Sequence, residues 1–236
     1  KIRSGQARTV KKARKLAHQE ARMSPDGIEL ATAQAHSASL WQLWHGTLES
    51  QQSRIADDSI DAIITDPPYL EEYLDVFEEL AKVAARVLKP GGSLVTLVPH
   101  AHLPTILQRM SRHIRYHWML AYVQPGASRR IWKNRVIVGY KPVLWFVKGD
   151  YEGDSVYDVV TSERPDKAHH EWGQSESGFA ALVERFSRPG DLILDPFVGG
   201  GTTAVVAVAL GRRLIGIDSD PKAVEETRKR LSQAGA

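Results

Sequence analysis

The segment from Leu192 to Asp218 constrains this chain more than any other. The apolar run Leu192-Ile193-Leu194 leads into Asp195-Pro196-Phe197-Val198-Gly199-Gly200-Gly201-Thr202. A helix is expected from about Thr203 to Leu210, and a second apolar strand, Leu214-Ile215-Gly216-Ile217, ends at Asp218. Glycines placed after a strand let the backbone approach a ligand closely, and the helix N-terminus behind them favours a carboxylate or phosphate. Asp218 stands twenty-three residues beyond Asp195, at the end of the next strand, where an acid can accept both hydroxyls of a ribose. Strand, loop, helix, strand and acid in register read as the cradle of a nucleotide-like cofactor.

The same alternation runs through the rest of the chain. Ile60-Asp61-Ala62-Ile63-Ile64 is a β-branched run that must stop at Asp66-Pro67-Pro68-Tyr69, because two prolines cannot continue a central strand. Leu70 to Leu88 has helical spacing closed by Lys89-Pro90-Gly91-Gly92. Ser93–Val98, Tyr116–Val123 and Val136–Val147 read as strands, Leu103–Arg112 and Ser177–Arg188 as helices, and Asp220 and Pro221 open the last helix. This pattern predicts an α/β doubly wound, Rossmann-like, mostly parallel sheet with helices on both faces and ligands beyond the carboxyl ends of its strands. Residues 1–27 form a basic N-terminal arm, with eight lysines and arginines and the single acid Glu20 before the turn at Ser24-Pro25-Asp26-Gly27; residues 28–236 form the globular domain.

At the strand end Asp66, a carboxylate and the Pro67 carbonyl offer two acceptors at fixed geometry, and Tyr69 offers a stacking face. Together they suit a planar amine such as an exocyclic base NH2, or alternatively a plain proline-rich turn. The chain has no cysteine, which excludes disulfides, thiolate zinc and cysteine nucleophiles, including those of cytosine-C5 methylation. Nine histidines invite a metal, at His169-His170-Glu171 or at His100 with His102, but no helix-borne His pair accompanies them and no metal is expected. No apolar run is long enough for a membrane helix and no apolar signal core follows the basic N-terminus, so a cytoplasmic protein is expected.

Charge points to a polyanion. Lysine and arginine outnumber acids only 31 to 28, yet no acid occurs between Glu79 and Asp150, where twelve lysines and arginines stand. The loop from Gln124 to Arg135 holds Arg129, Arg130, Trp132, Lys133 and Arg135, mixing cations with an aromatic as base-reading or strand-separating loops do.

Asp66-Pro67-Pro68-Tyr69 together with the Asp195–Thr202 loop resembles the S-adenosylmethionine-dependent DNA amino-methyltransferases. The order of the motifs, catalytic loop first and cofactor loop last, resembles their circularly permuted β class, and the aspartate resembles the adenine-N6 members. The resemblance runs from about Leu43 to the C-terminal helix. It implies a seven-stranded methyltransferase sheet, catalysis at Asp66, Pro67, Pro68 and Tyr69, and cofactor contacts at Asp195, Pro196, Phe197, Gly199, Gly201, Thr202 and Asp218. Gln174 and Ser175 are implied near the methionine part. It also implies double-stranded DNA as partner, base flipping, a homodimer, and target recognition within 124–135 and 149–176, in an orphan enzyme or a modification system. The chain departs from the family at Gly46-Thr47, where relatives often show Gly-Asp, and at His170–Glu176. Cytosine-N4 methylation, an inactive DNA-binding scaffold, and RNA or protein amine methylation are the alternatives.

Overall fold

The computed structural model describes residues 40–69, 74–126, 129–162 and 176–233. The basic arm and the segment holding Gln174 and Ser175 lie outside these residues. Strands β1 (Trp41–His45), β2 (Ile60–Thr65), β3 (Leu88–Leu97), β4 (Arg115–Val123), β7 (Lys141–Val147), β8 (Val159–Thr161), β9 (Leu192–Asp195) and β10 (Arg213–Asp218) build one sheet; β5 (Arg129–Ile131) and β6 (Val136–Val138) form a separate hairpin. The helices are α1 (Leu48–Gln51), α2 (Leu74–Val87), α3 (Leu103–Met110), α4 (Glu176–Phe186), α5 (Thr202–Ala209) and α6 (Pro221–Gln233).

The sheet order is β1-β10-β9-β2-β3-β7-β4-β8. From β1 to β3 every neighbouring pair is parallel, and β7 runs antiparallel between β3 and β4. Period-two alternation sends Ile63, Leu94 and Phe146 to one face, against Phe77 and Leu80 of α2 and Ile106 of α3. It sends Ile64, Val95 and Trp145 to the other, against Phe179 and Leu182 of α4 and Ala204 of α5. The doubly wound architecture expected from the sequence is therefore the one observed.

Three details differ from expectation. The sheet has eight strands, because Val159–Thr161, too short to show a period, adds parallel to the edge of β4. The segment expected as one strand from Val136 to Val147 breaks at Gly139-Tyr140, and its first three residues pair with Arg129–Ile131 instead. Lys89-Pro90-Gly91-Gly92 does not separate helix from strand; β3 begins at Leu88, and the extra residues bulge where the β2–β3 register shifts between Ile60 and Ala62.

This topology gathers one end of the sheet into a functional edge. The carboxyl ends of β1, β2, β9, β10 and β4 lie there, joined by the start of β7, whose Lys141 is in register with Tyr122. Tyr122 is fully buried, and burial pushes its hydroxyl up to about 12 while the Ser162 hydroxyl moderates the rise. Gly178 on α4 leaves the room it needs: a Cβ there would collide with the Tyr122 hydroxyl and lie 2.7 Å from the Cβ of Ser162. Gly178→Ala should therefore cost about 2 kcal/mol of stability through overpacking, read as a shifted urea midpoint. A loss below about 0.5 kcal/mol would mean that Tyr122 can move aside freely.

Candidate active site

The two sequence motifs meet because β2 and β9 are neighbours. Their ladder pairs Ala62 with Ile193 and Ile63 with Leu194, so the chain ends leaving each strand emerge side by side. Beyond the last paired residues, the Thr65 hydroxyl donates to Asp195 Oδ1 at 2.6 Å in the buried interior. The Phe197 N–H donates to the same oxygen at 3.1 Å, and the Thr203 hydroxyl adds a third donor. Burial raises the Asp195 carboxyl to about 6, with the nearby Asp218 charge adding to the rise and the three donors opposing it. Asp195 thus holds the glycine loop's entry and is enclosed beneath the site.

Past Asp195 the loop is shaped by backbone bonds. Val198 N–H donates to the Ile217 carbonyl at 3.0 Å, and Gly199 N–H donates to Asp218 Oδ2 at 2.8 Å. Gly201 has φ +80°, and a Cβ there would meet Thr227 Oγ1 at 2.7 Å, so only glycine lets the loop turn into α5 against α6. The Thr227 hydroxyl and the Arg230 guanidinium donate to the carbonyls of Gly199 and Gly200, anchoring the loop to α6. Pro196 is buried, Phe197 and Thr202 are half-buried, and Asp218 is half-exposed at the end of β10, directly in register with His45. Gly46-Thr47 follows His45, and Thr47 uses its hydroxyl to cap α1, accepting from Ser50 N–H at 3.2 Å.

On the other side of β2, the Tyr69 hydroxyl donates to Asp66 Oδ1, and Lys141 Nζ lies 3.7 Å from Asp66 Oδ2 and 5.4 Å from the centre of the Tyr69 ring. Burial first, and then the Asp66 charge, hold the Tyr69 phenol well above its ordinary range, so it stays a neutral donor. Pro67 is buried and Pro68 exposed. Beyond them opens a largely apolar cleft of about 730 Å³ lined by Tyr69, Tyr122, His100, Tyr140, Lys141 and the hairpin residues Arg130–Lys133. His100 packs edge-on against Tyr140, their ring centres 5.0 Å apart, and burial lowers its pKa, keeping the imidazole neutral. Thr65, Tyr122, Tyr140 and Lys141 were not among the site residues expected from the sequence. The signal for Lys141 and Tyr122 is positional: antiparallel pairing of β4 and β7 brings both to the edge that carries Asp66.

The one-signed charge stretch resolves differently. Arg86, Lys89, Lys148, Lys82, Arg109, Arg115 and Lys141 form ion pairs with Asp57, Asp61, Asp58, Glu78, Asp75, Asp150 and Asp66 respectively, acids that lie outside the stretch in sequence. Among the described residues no ion pair engages Arg130, Lys133 or Arg135, which stand together on the hairpin. The described residues hold no cluster of His, Asp or Glu arranged for a metal, and no helix long and apolar enough to cross a membrane.

A Rossmann-like methyltransferase fold is what this sheet and site define, and comparison with known proteins agrees. A family model for the N6/N4 type, described as DNA methylase, matches residues 162–229, and one described as methyltransferase small domain matches residues 9–122. The type II methyltransferase M.HpaI of Haemophilus parainfluenzae is 28% identical over 75% of this chain and 69% of its own. M2.DpnII of Streptococcus pneumoniae is 25% identical (76% and 85%), and the DNA adenine methyltransferase YhdJ of Escherichia coli 24% (80% and 82%). Among solved structures, an M1.HpyAVI–SAM complex superposes with a TM-score of 0.67 at 23% identity, covering 81% of this chain and 99% of its own. The cytosine-N4-specific PvuII DNA methyltransferase reaches 0.72 at 20%, covering 82% and 87%. The chain is similar to proteins named as DNA methyltransferases, as its two motifs implied.

The Thr65–Asp195 bond generates a pH-dependent expectation. A carboxyl raised to about 6 contributes stability below its unfolded value and loses it as pH rises through 6. Removing a donor raises it further. Thr65→Val should therefore destabilise by about 2 kcal/mol at pH 8 and by distinctly less at pH 5, measured by urea unfolding. A penalty equal at both pH values would mean that Asp195 does not change its protonation state between them and is not raised to about 6.

Proposed function

We propose that the protein transfers the methyl group of S-adenosylmethionine to the exocyclic N6 amine of adenine in double-stranded DNA. The observation that carries this reading is the junction at β2 and β9: amine acceptors at Asp66 and Pro67 and a cofactor-type glycine loop with its ribose-type acid Asp218, held together by the buried Thr65–Asp195 bond. The donor set fits the cofactor: the N-terminus of α5 presents backbone N–H groups suited to a carboxylate, the space above Gly199 is open to within 3.9 Å of its position, and Asp218 has lone pairs beyond those given to Gly199 and Asp220. When bound, the cofactor supplies a sulfonium methyl already activated for displacement.

The chain's own work is then positioning and charge. An aromatic amine delocalises its lone pair into its ring and is a poor nucleophile. Asp66 and the Pro67 carbonyl, accepting the amine's protons, draw that pair back onto nitrogen, and Asp66 takes the proton released once nitrogen has gained its fourth bond. Tyr69 supplies the face on which the base stacks. Tyr69 lines the cleft beside Asp66, and a base reaches it only after leaving the duplex. Arg130, Lys133 and Arg135 meet the phosphates beside the cleft, and Arg129, Gln174, Ser175 and the arm belong to the same reading of DNA and cofactor contacts. The homodimer and the cytoplasmic setting complete it.

Nucleosides from unmethylated duplex DNA incubated with the protein and deuterated-methyl S-adenosylmethionine should contain labelled N6-methyladenine by mass spectrometry. Labelled N4-methylcytosine would move the target, and cofactor binding without any labelled base would overturn the assignment. Asp66→Ala should lower turnover about 100-fold or more while cofactor affinity holds, as expected for a group acting at the reacting nitrogen. Asp218→Ala should instead weaken cofactor binding by about tenfold, in line with loss of charge-assisted hydrogen bonds.

A further inference from the structure

The β5–β6 hairpin carries more exposed apolar surface than its position explains. Trp132 is 76% exposed, Ile137 62% and Val136 48%, on a two-stranded element that has no helix or third strand of its own. The turn from Trp132 to Arg135 is closed by the Arg135 N–H donating to the Trp132 carbonyl at 3.2 Å, with Arg135 at φ +54°. The Arg130 guanidinium lies 4.7 Å over the Trp132 ring and holds the indole in place. Cross-strand pairing sets Ile131 opposite Val136 and Arg130 opposite Ile137. Ile131 and Val138 turn into the cleft, Trp132 stands at its mouth, and Ile137 is absent from its lining. The apolar tip is ringed by Arg130, Lys133 and Arg135, a charge arrangement complementary to a phosphate backbone rather than to an apolar protein surface.

We infer that Trp132 is a wedge for duplex DNA: it enters the base stack and fills the space that the target base vacates, while the flanking cations grip the adjacent phosphates. The inference rests on the DNA reading of the cleft. A side chain at the mouth of a pocket that receives an extruded base stands at the duplex surface the base has left. An aromatic there replaces the stacking lost on extrusion, which a charged or small residue cannot do. Its place at the mouth, rather than beside Asp66 as for Tyr69, separates this task from stacking on the target base itself.

The test compares duplex with heat-denatured DNA from the same unmethylated source, since a single strand has no stack to open. Trp132→Ala should lose at least about tenfold more turnover on duplex than on denatured DNA, the scale of one unstacked base, and Trp132→Phe should recover most of it. Equal losses on both substrates would overturn the wedge and place Trp132 on the target base or in hairpin stability. No loss on either would overturn it outright. Binding gives a readout that does not need turnover: Trp132→Ala should weaken binding to a duplex with an abasic site, which already holds the gap, by about tenfold, and should leave binding to a single strand of the same sequence nearly unchanged. Equal affinity of the variant and the unaltered protein for the abasic duplex would refute the wedge whether or not methyl transfer occurs, whereas an absence of labelled base with that loss intact would refute the enzymatic reading alone.

Discussion

The site depends on one buried hydrogen bond and the strand pairing that permits it. β2 and β9 are separated by well over a hundred residues of sequence, and their ladder ends at Ile63 and Leu194. Past that point the two chains diverge into loops with different tasks, and the Thr65 hydroxyl on Asp195 Oδ1 is the bond that keeps them in fixed relation. It works because it is dry. In water such a bond would compete with solvent and contribute little, whereas beneath the sheet edge an unmade bond would leave a desolvated carboxylate, the costlier alternative. The raised Asp195 pKa is the trace of this choice: burial is tolerated because three donors converge on the group.

The consequences spread outward along the strands. Fixing Asp195 fixes the start of the glycine loop, and the Gly199 amide then takes the Asp218 carboxylate as its partner, which ties the loop to β10 and, through the register of His45 with Asp218, to β1 as well. On the other side, fixing Thr65 fixes Asp66, whose carboxylate is held by Tyr69 at one oxygen and faces Lys141 at the other. The proposed cofactor cradle and the proposed amine-acceptor site, separate motifs in the sequence, are thereby joined into one unit.

Much of this was legible in the residues. Strand and helix order, the carboxyl-end location of the site and the pairing of Asp195 with Asp218 all follow from periodicity, proline stops and glycine placement, because those features act locally. Thr65, Tyr122 and Lys141 were not legible as site residues, since their roles arise only when β2 meets β9 and β4 meets β7. The pairing within the charge stretch was hidden for the same reason. Lys89 and Lys148 are neutralised by Asp61 and Asp58, residues far away in sequence and adjacent in space, and one-dimensional counting cannot see such partners. The break at Gly139-Tyr140 is a further case: Val136-Ile137-Val138 has ordinary strand propensity, and what takes it out of the main sheet is its pairing with Arg129–Ile131.

The arrangement at Asp66 has a further implication for how the site idles. With Tyr69 donating to Oδ1 and Lys141 beside Oδ2, the carboxylate is satisfied in the absence of a base, so its negative charge is not left exposed to an apolar cleft. In the proposed reaction an incoming amine would replace the Tyr69 hydroxyl, exchanging one donor for another at the same oxygen. Because the exchange would leave the carboxylate's own hydrogen-bond count unchanged, its desolvation has already been met in the folded protein. The binding energy of the base can then go into stacking on the Tyr69 ring, and Lys141, 3.7 Å away, keeps the acceptor's second oxygen oriented while the first changes partner.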